Sequence, residues 1–339
     1  MTSINTSKKT KTDKTASTAK DRNFIDDKNF QQWLEIALDA ADNPQAGIYG
    51  PGSMMWKVGR ESISFLGAGR AVLLQLAHPW IANAIDQHSQ TRNDPLGRGR
   101  RTFINVFSMV FGNTRQVRAV AENVHRIHGY IKGSVAENSG AFAKDSYYQA
   151  NAIDAMLWVH ATLWDTQLRM YELVFPPLSL QEKEQYYQET KLFAHLFGIP
   201  ESAIPLDWAA FQEYMEHMYN SPEITVRSKG REMGDMIFNF GGPLKPALKW
   251  LQLMTAFMLA PRLRTEFGLP EATTDNLRRY ERGLKLVKMV YPRLPGRLRY
   301  LPSYNEAIGR LDGKQHADLL TQGLNYAILG QRELVSNSV

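Results

Sequence analysis

The chain has eight histidines and no cysteine, and this bounds the chemistry it can carry. Disulfides, thiolate ligands, iron–sulfur clusters and cysteine nucleophiles are excluded, so any metal or cofactor must be held by His, carboxylate, Tyr, Met, Lys or Arg. His160 stands alone in the most apolar run of the chain, where between Ala152 and Trp164 only Asp154, His160 and Thr162 interrupt apolar residues. A buried imidazole has two polar nitrogens that need hydrogen-bond partners or a metal. Its neighbours at helical spacing, Met156, Leu157, Leu163 and Trp164, offer little to bond with. A structural hydrogen bond is the ordinary fate of a core histidine, but flat apolar walls around one imidazole are what a haem pocket needs.

Other polar groups fall into patterns of their own. His125 and His128 lie three apart on one helical face. Glu122 with His125 forms a Glu-x-x-His pair, half of a di-iron carboxylate signature, but none of the other seven histidines has Glu three residues before it. A non-haem metal site would use Glu122, His125 and His128. Arg98, Arg101 and Thr102 share a face near a helix start, where cations oppose the helix dipole unless anions attend them; carboxylates or haem propionates would serve. Gly67-Ala68-Gly69 interrupts an apolar helix, allowing a flat group or a second helix to approach closely. His195, His217 and His316 sit on mixed or polar segments, and His78 and His88 flank the helix opened by Pro79. No Ser/His/Asp order and no His-Glu-x-x-His is present.

Five short stretches, taken in order, resemble one family. They are Gly50-Pro-Gly-Ser53; Leu74-Gln-Leu-Ala-His-Pro79 leading to His88-Ser89; Arg98-x-x-Arg-Thr102; Val124-x-x-x-His128-x-x-Ile-x-Gly133; and Trp158-Val-His-Ala-Thr-Leu163. The chain is similar in these to the rubber oxygenases (latex-clearing proteins) and the MpaB-type oxygenases, closely over about 50–178 and more loosely to about 310. The resemblance implies an all-α haem-b protein that uses O2 on a hydrophobic unsaturated substrate, an isoprenoid or lipid-like molecule. It implies His160, in its His-Ala pair, as the iron ligand, with His128 and then His125 as alternatives. Arg98, Gly67 and Trp164 would line the cofactor. Arg98, Arg101 and Thr102 would be the catalytic group, by hydrogen bonds to bound oxygen. The family's segment carries Lys where this chain has Arg101, a residue that stays protonated and makes a poor iron ligand. A non-catalytic carrier of an apolar ligand is the competing reading.

The elements that must position these residues are nearly all helical. Amphipathic or apolar helices are expected at Asn29–Asp42, Arg60–His78, from Pro79, Pro95–Phe111, Thr114–Lys132, Ala152–Val174, Ser179 to Gly198, Asp207–Tyr219, Pro246–Leu259 and Asp275–Val290. Ser179 with Glu182 is a capping box, and Gly112-Asn113 is a stop. One all-α, multi-helix domain is expected over 28–335, with a haem pocket between core helices and its weakest seam at Gly230–Pro243.

Residues 1–22 carry six Lys/Arg against two Asp and supply +4 of the net +6. This Ser/Thr/Lys-rich stretch reads as part of a disordered basic tail over 1–27, and the near-neutral remainder argues against nucleic acid. No secretory signal is present, so the cytoplasm is the expected location. Leu248–Ala260 is an apolar run of about 20 Å as a helix, too short for a bilayer core of about 30 Å, with basic flanks and no Asp or Glu between Asp235 and Glu266. It is a core helix or else a peripheral contact with an anionic membrane.

Overall fold

The computed structural model describes residues 24–89, 94–238 and 245–334. Its helices are α1 (Asp27–Asp39), α2 (Met54–Gly59), α3 (Ala68–Leu76), α4 (Pro79–His88), α5 (Pro95–Phe111), α6 (Thr114–Tyr130), α7 (Ile153–Val174), α8 (Leu180–His195) and α9 (Trp208–Asn220). They continue as α10 (Ser228–Phe238), α11 (Lys245–Met258), α12 (Pro261–Glu266), α13 (Thr274–Val290), α14 (Gly296–Arg299), α15 (Pro302–Leu311) and α16 (Leu319–Leu329). The fold is all-α but for one antiparallel pair, β1 (Lys132–Ser134) and β2 (Tyr147–Gln149), with Gly133 opposite Tyr148.

Local chemistry sets the helix ends. Pro79 and Pro95 open α4 and α5, where a missing N–H costs nothing. Asn113 caps α6 reciprocally with Gln116, and Ser179 caps α8 with Glu182. After α8 the chain turns at Gly198, at a φ of 78°, where an added Cβ would press on Ile25 and Phe30.

α7 is the central element. It packs on α3 and on the 3-10 turn Ser62–Gly67, and the Trp158 indole donates to the Leu74 carbonyl at 2.8 Å. The helix expected over Arg60–His78 is thus broken in two. Gly67, at the break, meets α7 so closely that a Cβ there would lie 2.6 Å from both Met170 Cγ and Thr166 Cγ2. Gly69 does the same toward α11, with Thr255 Oγ1 at 2.5 Å from its Cβ position. The small residues bring neighbouring helices to close range, and Gly67 has no room for a Cβ on its α7 side.

Two further expectations change, and one open alternative is decided. Phe24 to Asp27, which the tail was expected to include, are folded: Phe24 bridges Ala152, Ile25 N–H donates to the Asn151 carbonyl, and Asp26 caps α1. The expected seam is helical up to Phe238, because α10 packs on α3 and α4 with Gly230 against the Leu76 carbonyl; 239–243 lie outside the described residues. Of the two readings of the apolar run at 248–260, the core helix holds, with Leu253, Met254, Thr255, Ala256 and Leu259 buried.

The C-terminal quarter returns to the first third. Leu301 N–H donates to the Arg60 carbonyl at 2.7 Å, and Ile63 N–H to the Tyr291 hydroxyl at 3.0 Å. Arg310 spans two elements, donating to the Gln45 carbonyl at 2.7 Å and to the Phe111 carbonyl at 2.5 Å. It thereby satisfies a carbonyl in the last turn of α5 that the helix itself leaves open. Among the described residues no helix is long and apolar enough to cross a membrane.

Candidate functional site

His160 is buried on α7, where the periodicity put it. Its Nδ1 lies 3.1 Å from the Trp164 indole nitrogen one turn on, and its Nε2 has no hydrogen-bond partner. Burial, with His195 adding, lowers the imidazole to about 3, so it stays neutral. An indole N–H only donates, so Nδ1 is the acceptor and the ring proton sits on Nε2. In this arrangement Nε2 offers no lone pair to a metal. Trp164 thereby fixes the orientation of the His160 ring.

His128 differs. It extends the buried stripe of α6, Val117, Ala121 and Val124, by one more turn. Burial, with His125 adding, lowers it to about 4, and its Nδ1 is buried without a partner, yet part of the residue remains accessible. The two histidines stand at opposite ends of one aromatic pair: His160 stacks on Phe193 at 6.2 Å, Phe193 meets Phe197 at 5.2 Å, and Phe197 stacks on His128 at 6.5 Å.

α5 and α6 pack against each other across the short Gly112-Asn113 turn. Arg98 is on the first turn of α5. Burial, with Arg101 adding, lowers its guanidinium, and among the described residues it has no ion-pair partner. Arg101 and Thr102 do not join it. Arg101 is exposed and paired with Asp94 at 3.2 Å, and the exposed Thr102 hydroxyl donates to the Arg98 carbonyl at 3.1 Å.

The alternative metal trio is not assembled. Glu122 lies 3.9 Å from Arg118, while His125 stacks on Phe30 and contacts Asp27 at 2.9 Å. Among the described residues no three His, Asp or Glu groups converge to hold a metal ion. His195 uses both ring nitrogens, one toward the Ile199 carbonyl and the other toward Glu201 at 3.1 Å.

Several apolar side chains keep part of their surface accessible. Within the largely buried stretch of α7 from Ala155 to Thr166, Val159 and Leu163 do so at i and i+4. Phe65, Val72, Phe103 and Val120 likewise pack on the core without being closed over. Phe65 meets Phe103 edge-on at 5.1 Å. An apolar lining of this kind suits an apolar ligand.

The periodicity missed one buried group entirely. Arg70 of α3 pairs with Asp165 of α7 at 2.6 Å, both nearly inaccessible, and also donates to Thr166, to the Tyr219 hydroxyl and to the Met258 carbonyl. Burial pushes Asp165 up, but Arg70 and Arg169 outweigh it and hold the carboxyl below its ordinary range. The available signal was a charge of each sign inside otherwise apolar helices, since such residues are rarely buried unless paired.

Comparison with known proteins agrees with this architecture. The family described as "ER-bound oxygenase mpaB/B'/Rubber oxygenase, catalytic domain" matches residues 56–289. An uncharacterised protein of Mycobacterium bovis and one of Mycobacterium tuberculosis are each 24% identical over 233 residues, covering 67% of this chain and 88% of theirs. No solved structure matches. The matched span runs from α2 through nearly all of α13 and contains Arg98, His128 and His160, so the chain belongs to the MpaB/rubber oxygenase family.

Proposed function

We propose that the protein is a haem-b-dependent oxygenase acting with O2 on a hydrophobic, unsaturated small molecule, isoprenoid or lipid-like, and that His128 rather than His160 is the iron ligand. The observation that carries this reading is a pair of desolvated groups, one on α5 and one on the α6 helix packed against it. His128 is an imidazole held neutral with an unpartnered Nδ1, and Arg98 is a half-buried guanidinium without a described counter-ion. A partly desolvated cation without a counter-ion carries a cost that a ligand carboxylate would offset; haem b carries two. His160 fits less well, because Trp164 occupies its Nδ1 and leaves the proton on Nε2.

Haem b, when bound, would supply the iron at which dioxygen is activated toward a carbon–carbon double bond. The chain's own residues have separate tasks. His128 keeps a lone pair available at neutral pH because burial suppresses its protonation. Arg98 holds an anionic group of the ligand. Phe65, Phe103, Val159 and Leu163 present apolar surface that excludes water and orients an alkene. Arg101 and Thr102 stand at the exposed edge of the same turn, where they would meet polar parts of a ligand entering from solvent.

The test is the visible spectrum of protein expressed with ample haem, followed by pyridine-haemochrome analysis. A stoichiometric Soret band that survives in His160→Ala and disappears in His128→Ala is expected. Loss only in His160→Ala would move the ligand to α7, and a colourless, folded protein would overturn the cofactor. Oxygen uptake with unsaturated terpenoids and fatty acids then identifies the substrate class.

A further inference from the structure

We infer that α13 is a docking face for an anionic lipid surface, a property independent of whether the haem assignment holds. The helix has no buried residue over its 17 positions. Its inner side is nonetheless specific. The Tyr280 ring meets Phe257 edge-on at 5.1 Å, Val287 packs in the cluster of Ile63, Met170 and Met254, and Gly283 lies so close to Trp250 that a Cβ would overlap the indole. α13 is thereby laid flat on α11, about 25 Å long, with one full side outward.

That outward side combines two features that solvent alone does not favour. It holds Arg278, Arg279, Arg282, Lys285 and Lys288 against only Asp275 and Glu281. Arg279 is paired with Asp275 at 2.9 Å, whereas among the described residues the other four basic side chains make no ion pair. Between them stand Leu286, Met289 and Val290, 56%, 52% and 42% exposed, and Leu298 of α14 follows at 56%. Arg282, Leu286, Met289 and Arg293 recur at helical spacing, so charge and aliphatic surface share one face.

Basic residues interleaved with aliphatic ones match a headgroup layer, where cations meet phosphates and aliphatic side chains enter the acyl boundary. Nucleic acid would use the same charges but has no place for Leu286 and Met289, and the face presents no exposed aromatic ring for stacking. The expected peripheral contact thus shifts from the 248–260 run, which is buried, to the helix laid over it.

The experiment is sedimentation of the full-length protein with vesicles of phosphatidylcholine, with and without phosphatidylglycerol. Binding is expected only with phosphatidylglycerol and should weaken as salt rises. Leu286→Asn with Met289→Asn should abolish it, with circular dichroism confirming an unchanged fold. Arg282→Gln and Lys285→Gln should each weaken it about fivefold, the equivalent of about 1 kcal/mol per basic residue. Three results would overturn the inference. They are no binding to phosphatidylglycerol at low salt, retention of wild-type binding by the double Asn variant (which would assign it to the basic residues of 1–22), and tighter binding of duplex DNA in competition with vesicles.

Discussion

The Trp164 indole and the His160 imidazole, one turn apart on α7, form a hydrogen bond of 3.1 Å whose direction is fixed because the indole can only donate. The neutral Nε2–H form of His160 follows. Histidine ring 15N shifts of the cofactor-free protein are expected to show that form at His160 and no protonation above about pH 4, in line with a group lowered to about 3. A proton found on Nδ1 would restore His160 as a metal ligand.

Arg70 and Asp165 are buried together, and each is the other's principal counter-charge. Asp165→Asn leaves a guanidinium without its carboxylate in the core. A loss of about 3–5 kcal/mol in urea unfolding is expected. Arg169→Gln, on the exposed side of the same carboxylate, should cost no more than about 1 kcal/mol. Similar losses from the two changes would mean that the carboxyl is solvated.

Gly67→Ala is expected to destabilise by about 1–3 kcal/mol, because the added methyl meets Met170 and Thr166 on α7. Haem content per folded molecule should not change. Loss of haem with full stability would return Gly67 to the ligand.

Glu306 of α15 accepts from the Leu334 N–H at 3.1 Å and from the Asn325 amide at 3.0 Å. Burial, with Glu333 adding, raises it to about 7 against the pull of the Leu334 N–H, Arg310 and Asn325. The folded state then binds its proton more tightly than the unfolded chain does. The resulting stability is complete below about pH 4.5 and is lost as pH rises through about 7. Glu306→Gln should remove a fall of about 1–3 kcal/mol across that window, read as the difference between the two proteins' urea midpoints at pH 5 and pH 8. Parallel pH profiles would show that the carboxyl titrates normally.

Legibility in the sequence followed the range of each interaction. The start and end of α5, the capping box of α8 and the apolar span of α7 were readable because each depends on residues within one or two turns. Arg70 and Asp165 were not, since 94 residues intervene and no local pattern announces which buried charge answers which. Gly67 stayed open between two readings for a related reason: periodicity marks a close approach without saying whether a cofactor or a helix makes it. Arg98, Arg101 and Thr102 share a helical face on the wheel, yet Arg98 is half-buried while the other two are exposed, a difference that the wheel does not carry. The run at 248–260 was noticed for its apolar content, while α13 hides its exposed aliphatic residues among charges that make it look like ordinary surface.

The reach of Arg310 and Leu301 back to Gln45, Arg60 and Phe111 bears on how the chain is made. While the ribosome is still translating the middle of the chain, the end of α5 and the strand-like stretch after α2 have carbonyls that only residues beyond 300 will occupy. Those carbonyls gain their partners only once nearly the whole polypeptide has emerged. A prematurely terminated product lacking the last forty residues would keep every candidate site residue and still lack the clasp that closes around them, which makes it a natural substrate for proteolytic clearance.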